Sequence, residues 1–362
     1  MIKKTTLILL MFLFALFDLF QTGANAKELK VGFIYLSSAK DAGWSYSHDL
    51  GRQRVSKIPG VTTNFVESIN DRESTYIEPV IRHMAQSNYD LIFATSYGYS
   101  DAVLKLAPQF PNVIFMHCGG NSPGASNMGT YYGRMYEARY LTGMVAGGMT
   151  RSNIIGYVAA YPIQEVVRGI NAFALGVWEV NPDARILVRW TKDWNNPLKE
   201  KQGASELIEL NADVLTQHQD SPAIQIVAEK RGVYSIGHNH DMSSFAPKAH
   251  LTASIWNWGK VYANVIQAVS DGSWKSENIW WGLEKGLVDI ASFGPMVPEK
   301  LREKVLRKKK DIISNKFSVF TGPLLDQEGN VKVVAGKQAT DEELLMMDWF
   351  LKGVVGKADS KN

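Results

Sequence analysis

The sequence predicts an α/β protein with two doubly wound parallel sheets, and three observations carry that prediction. Short apolar runs of strand length alternate along the chain with longer segments of helical periodicity. The alternation passes through one helical segment near its middle and then restarts. Composition suits a compact chain, with 45% of residues hydrophobic, 21% charged and no low-complexity segment.

Leu29 to Leu36 reads as a buried strand, Ser47 to Lys57 as a helix, Val61 to Val66 as a strand and Tyr76 to Asn88 as a helix. Leu91 to Thr95, Ser100 to Phe110 and Val113 to His117 repeat strand, helix, strand. The helical segment Glu137 to Met149 precedes the restart: strand Ile154 to Ala159, helix Gln164 to Glu179, strand Ala184 to Trp190. Lys199 to Leu210, Val214 to Gln217, Ala223 to Arg231 and Val233 to Gly237 extend the second sheet. Two sheets of one construction imply a cleft between lobes, faced by the loops at the carboxyl ends of the strands. Near the end of the chain, Thr340 and Glu343 have capping-box spacing before an apolar run through Leu344 and Trp349. This predicts a closing helix packed on a lobe.

At the amino end, Lys3 and Lys4 precede the apolar stretch Leu7 to Phe20, interrupted only by Asp18, and Ala24-Asn25-Ala26 is a small-residue cleavage signature. Residues 1–26 are therefore expected to be a signal peptide cleaved after Ala26. The alternative, a membrane anchor, suffers from an apolar run too short to span comfortably. The single cysteine, Cys118, lies far from the cleavage point, where it cannot become a lipid-bearing first residue. The expected product is soluble, unanchored, monomeric and periplasmic. Losing two lysines and one aspartate with the leader moves the formal charge from +3 to +2, too little to advertise nucleic acid. One cysteine allows no internal disulfide, so stability must come from apolar burial.

Motifs for chemistry are scarce. No G-x-G-x-x-G follows the first strand, where Gly32 stands alone, and no G-x-x-x-x-G-K-[ST] occurs, so no cofactor is expected. Gly119, Gly120 and Gly124 make a turn-rich loop rather than a phosphate cradle. No catalytic residue is assigned. His238-Asn239-His240-Asp241 sits past one predicted strand and His218 past the preceding one. With neither H-E-x-x-H nor a cysteine pair, these histidines read as ligand or backbone partners, and no metal is expected. The basic run Arg302 to Lys310 reads as a solvated helix face, with partner docking as the alternative.

Aromatic residues gather instead at predicted strand ends: Trp44, Tyr97, Tyr99, Tyr161, Trp194 and Trp256, interleaved with Asp41, Gln219, Asp220, Asn239 and Asn257. Stacking between ring faces plus directed hydrogen bonds suits a nucleobase or similar flat heterocycle. The competing reading places these rings in core or hinge packing. The candidate ligand-binding residues are Asp41, Trp44, Ser96, Tyr97, Tyr161, Trp194, Asp220, Asn239, Trp256 and Asn257. Trp44 leads them, in a polar, glycine-adjacent loop after the first strand.

Val31-Gly32-Phe33-Ile34, Asp41-Ala42-Gly43-Trp44-Ser45, the run Glu137 to Gly147 and Asn211-Ala212-Asp213-Val214 resemble the basic membrane protein family of substrate-binding proteins. Phe320 to Leu324, Asp326 to Val331 and Thr340 to Gly356 are similar to that family's closing hairpin and final helix. The resemblance implies a type I periplasmic binding protein fold, two lobes joined by a three-segment hinge. Lobe 1 is expected over 27–135 plus 255–285, lobe 2 over 136–254 plus 286–320, and a hairpin and helix packed on a lobe over 321–362. It also implies partnership with the permease of an ABC importer, and relatives that include purine nucleoside-binding lipoproteins.

Asp41 and Trp44 match the acidic and aromatic positions of that family's first ligand loop; Tyr97 falls in the loop before Ser100, and Asn257 near the second hinge. Two departures stand out. His117-Cys118-Gly119 replaces a segment that commonly carries an aspartate, and Gly237-His238-Asn239-His240-Asp241 replaces G-V-D-S-D. Carboxylates suit a ribose diol, so their loss favours a free base such as adenine over a nucleoside. Two rivals remain: a sensory protein presenting its ligand to a membrane receptor, and a nucleoside hydrolase, which needs a carboxylate cluster or metal at the scissile bond.

Overall fold

The computed structural model of the chain describes residues 28–71, 74–120 and 123–358, so the expected leader and its cleavage point lie outside the described residues. The first sheet is laid down by β1 (Leu29–Ile34), α1 (Trp44–Val55), β2 (Val61–Val66), α2 (Ser74–Gln86), β3 (Leu91–Ala94), α3 (Ser100–Leu106), β4 (Ile114–Cys118) and β5 (Met128–Gly133). The chain then crosses to a second unit: α4 (Met135–Met149), β6 (Ile154–Ala159), α5 (Gln164–Trp178), β7 (Arg185–Trp190), α6 (Pro197–Glu209), β8 (Val214–His218), α7 (Ala223–Arg231), β9 (Tyr234–Asn239) and β10 (His250–Trp256). It returns to the first for α8 (Gly259–Ser270) and β11 (Asn278–Trp281), and again to the second for β12 (Val288–Ile290) and α9 (Glu299–Ile313). A hairpin, β13 (Leu324–Leu325) and β14 (Val331–Val333), the short α10 (Asp341–Leu345) and β15 (Val354–Val355) complete it.

The strand orders are β11-β5-β4-β3-β1-β2 and β12-β10-β9-β8-β6-β7-β15. Within these two sheets β12 alone runs antiparallel to its neighbour, β10. Each sheet changes direction of growth once, between β1 and β3 and between β6 and β8, which opens a crevice at the carboxyl ends there. Central strands carry apolar side chains on both faces because helices cover both: all of β3 is buried, whereas edge strand β2 is exposed at Thr62, Asn64 and Phe65. Helices α4 and α5 touch backbone to backbone. A Cβ on Gly143 would lie 2.1 Å from the Phe173 carbonyl oxygen, and one on Gly176 1.9 Å from that of Tyr140. Among the described residues no helix is long and apolar enough to cross a membrane.

Several elements depart from expectation for local reasons. Helix α1 begins at Trp44 rather than Ser47, because the Asp41 carboxylate accepts the Gly43, Ser45 and Tyr46 amides at 2.7, 3.2 and 3.0 Å and satisfies the first turn. Pro108 turns the end of the third helix into a 3₁₀ turn over Ala107–Gln109. The capping box at Thr340 and Glu343 forms, yet its helix ends at Leu345 instead of running to Gly356. Asn171 of α5 takes the backbone of the following segment, donating to the Trp349 carbonyl at 2.7 Å and accepting from the Leu351 amide at 3.0 Å. β15 then pairs in parallel with β7.

The three crossings between sheets are tied to one another. The Arg134 amide donates to the Trp281 carbonyl at 2.9 Å, and the Asn257 amide to that of Leu287 at 2.7 Å. Asn257 Nδ2 donates to the Gly286 carbonyl at 3.1 Å, and Glu137 Oε2 accepts the Leu283 amide at 2.7 Å. Burial pushes the Glu137 carboxyl up to about 7, against the pull of that amide. A carboxyl that holds its proton more tightly folded than unfolded stabilises the fold fully below its unfolded value, and the effect is lost as pH rises through about 7. Glu200, raised for the same first reason, acts in the same window. Stability is expected to fall between about pH 5 and about pH 8, and Glu137→Gln to flatten that fall by about 1–3 kcal/mol. Thermal melts across the range check this; an unchanged slope in the variant refutes a protonated hinge carboxyl.

Candidate ligand-binding site

A cavity of about 740 Å³ opens where the carboxyl ends of the two sheets face each other. Seven of the ten expected residues line it: Trp44, Ser96 and Tyr97 from the first sheet's side, Tyr161, Trp194, Asp220 and Asn239 from the second's. A separate depression of about 790 Å³ lies among Glu28, Lys30, Tyr89 and Phe110, at the amino-terminal end of the first sheet. Ligands of doubly wound sheets bind at the opposite, carboxyl ends, which makes the cavity between the sheets the candidate site.

Trp44, the first residue of α1, is fixed through its indole N–H, which donates to the Thr95 carbonyl at 2.7 Å. Its edges pack on His48 and Trp258, with ring centroids 4.6 and 5.4 Å away. Three expected residues support the site without lining the cavity. Asp41 caps α1 and also accepts the Ser37 hydroxyl. Trp256 is 5% exposed and stacks on Trp258 at 4.4 Å, behind Trp44. Asn257 belongs to the hinge clasp. Ser96 donates to Asp71 at 2.5 Å, and His117 Nε2 donates to the Ser96 and Tyr97 carbonyls at 3.0 and 3.2 Å, shaping the turn that carries exposed Tyr97.

On the opposite wall, the Tyr161 and Trp194 rings lie 5.4 Å apart, and the Tyr161 hydroxyl donates to the Lys192 carbonyl at 2.6 Å. Asp220 accepts from Asn239 Nδ2 at 2.9 Å; burial, reinforced by Asp41, pushes its carboxyl well above the usual range. The two walls are in contact. A Cβ on Gly43 would stand 2.4 Å from the Asp220 carbonyl oxygen, His240 Nε2 donates to the Ala42 carbonyl at 2.9 Å, and the Tyr46 and His240 rings meet edge to face at 4.8 Å.

Sequence reasoning missed other lining residues: Tyr132, Glu165, Arg168 and Trp280. Cys118 and His218, both buried, also border the cavity. Glu165, in the first turn of α5, is pushed up by burial while Tyr132, Arg168 and Arg139 draw it down. Burial first and Arg139 second hold His218 well below its ordinary value, so its 3.7 Å approach to Glu165 joins a neutral imidazole to a carboxyl. The Cys118 thiol is pushed up by burial, far from the thiolate a nucleophile requires.

Trp280 Nε1, His218 Nδ1 and Asn239 Oδ1 are buried without a partner among the described residues. Donors and an acceptor thus border the same cavity as the rings, an arrangement made for a polar ligand. No group of three His, Cys, Asp or Glu side chains among the described residues is placed to hold a metal ion. The Gly43 contact makes a prediction. Gly43→Val is expected to hold the walls apart, enlarging the radius of gyration in small-angle scattering and weakening ligand by about tenfold or more; wild-type scattering and affinity would refute this contact as the closing one.

The family model for PnrA-like ABC transporter substrate-binding proteins matches residues 28–321. A purine-binding protein of Brucella abortus is 42% identical, with 92% of this chain and 95% of that protein aligned. A putative ABC transporter glucose-binding protein of Haloferax volcanii is 35% identical over 93% of this chain and 83% of its own length. Among solved structures, a solute-binding protein of an ABC transporter system from Conexibacter woesei superposes with a TM-score of 0.69 at 20% identity, covering 80% of this chain and 98% of that one. The parallel-sheet architecture is thus that of periplasmic binding proteins, and the chain belongs to the Bmp family of PnrA-like ABC transporter substrate-binding proteins.

Proposed function

We propose that the chain is the exported, periplasmic binding protein of an ABC importer, that it takes a purine into the cavity between its sheets, and that it prefers a free base such as adenine to a nucleoside. The observation that carries this reading is that Trp44 from the first sheet's side and Tyr161 and Trp194 from the second's line one cavity, bordered by hydrogen-bonding groups that lack protein partners among the described residues. A flat heterocycle satisfies both at once. The 42% identity to a purine-binding protein supports the same class.

The preference for a base rests on the carboxyls. Asp71 is occupied by the Ser96 hydroxyl and Asp220 by the Asn239 amide, and the wall at Cys118, Gly119 and Gly120 offers no carboxylate to a sugar diol. Burial favours the protonated forms of Asp220 and Glu165. A protonated carboxyl presents one donor beside one acceptor, the complement of the adjacent ring nitrogen and amino group of adenine. Binding rather than catalysis fits a site whose thiol is held protonated by burial. Closing of the walls over the ligand then gives the importer a shape to recognise.

Mass spectrometry of ligand released on denaturation, followed by calorimetry with adenine, adenosine and glucose, tests the reading. Adenine is expected to bind most tightly, and Trp44→Ala to weaken it ~10- to 100-fold while the fold still melts cooperatively. Tighter binding of adenosine overturns the preference; binding of glucose alone overturns the purine. Glu165→Gln, which keeps a donor and an acceptor, is expected to stay within ~3-fold of wild type, whereas Glu165→Ala loses ~10-fold or more. Equal losses in the two variants would show that Glu165 acts as a charge.

A further inference from the structure

The family match ends at residue 321, and the chain beyond it comes back to the cavity. Leu345 and Met346 both line it. Met346 is 64% exposed, while Leu344 and Met347 beside it are buried at 3% and 1%. A large thioether left open at a cavity rim is surface that a ring-shaped ligand can cover.

The segment is held there by ties to the site itself. Arg134 grips Asp341 with both terminal nitrogens, at 2.7 and 2.5 Å. That arginine is the single residue between β5 and α4, and its guanidinium lies 4.1 Å over the ring of Trp280, a cavity-lining residue. Arg168, itself in the lining, donates to the Leu344 carbonyl at 2.5 Å. The indole N–H of Trp280 is buried without a partner among the described residues. One crossing between the sheets, one cavity-lining ring and the terminal segment are therefore a connected block.

We infer that Asp341–Met346 is a wall of the ligand site that touches the bound molecule, with Met346 as a specificity-determining contact and Asp341 as a positioning residue acting through Arg134. This inference rests on reading the cavity as the ligand site. It assigns part of the selectivity of the protein to a stretch of chain outside the matched family region. A merely structural cap on α5 would leave ligand selectivity unaffected, and the wall does not.

Calorimetry with adenine, adenosine and glucose on the full chain, wild type beside Met346→Ala, Asp341→Asn and Glu342→Ala, decides it. Met346→Ala is expected to weaken the tightest of the three probes ~5-fold or more and to change the adenine to adenosine ratio ~3-fold, with an unchanged melting temperature. Asp341→Asn is expected to lose ~3-fold, and Glu342→Ala, on the exposed face of the same short helix, to match wild type. Wild-type affinity and selectivity in both Met346→Ala and Asp341→Asn overturn the wall while leaving the cavity reading in place. If the wild type takes glucose and neither purine, the purine reading fails and the same variants still judge the wall on glucose. A wild type that binds none of the three overturns the cavity reading and the wall with it.

Discussion

The close approach of Gly43 to Asp220 sets the width of the cavity and so determines what every other lining residue can reach. A backbone without a side chain at this point lets the first turn of α1 lie directly against the loop after β8. Trp44 follows immediately, so the ring that forms one wall is placed by the same contact that brings in the other. The Asp41 carboxylate makes the turn self-supporting by taking the amides that the helix start would otherwise leave unpaired. Rings of Trp256, Trp258 and His48 then back Trp44 from behind, leaving its position little freedom.

Around this frame burial is the main electrostatic influence on the titratable groups. Asp220 and Glu165 are raised by burial, and His218 is lowered by it. Arg168 borders the cavity itself; it and Arg139, both buried, bond backbone carbonyls, of Leu344 and of Gln217. Burial that disfavours charge on these groups lowers the cost of exchanging their hydrogen bonds with an uncharged ligand. That lower cost suits a carrier whose cargo must be given up again.

Much of the architecture could be read from the residues, because buried parallel strands announce themselves as apolar runs and the rhythm repeats in each sheet. β5, β10 and β11 escaped, since their sequences mix Gly, Thr, Trp, His and Asn, and β12 because it is only three residues long; all take their conformation from neighbours rather than from local preference. Trp44, Tyr161 and Trp194 were legible as rings beside polar loops. Trp256 carries the same local signal and stacks into packing, a difference only its neighbour Trp258 decides. Asp41 illustrates the limit for polar residues, because an aspartate before a helix serves equally well as cap or ligand contact. Glu165 and Arg168 reach the cavity because Gly143 and Gly176 let α5 lie directly on α4, and nothing local to either residue shows that.

The pairing of β15 with β7 reaches beyond the ligand. Edge strand β7 would otherwise present a row of free amide and carbonyl groups along one side of the second sheet, a template for a strand from another molecule. The terminal segment that reaches the cavity rim at Met346 goes on, a few residues later, to cover part of that edge at Val354 and Val355. Protection against self-association and the shape of the cavity are thereby carried on one short length of chain. Whatever loosens this segment exposes the sheet to other copies as it alters the cavity, so solubility and selectivity are set to change together.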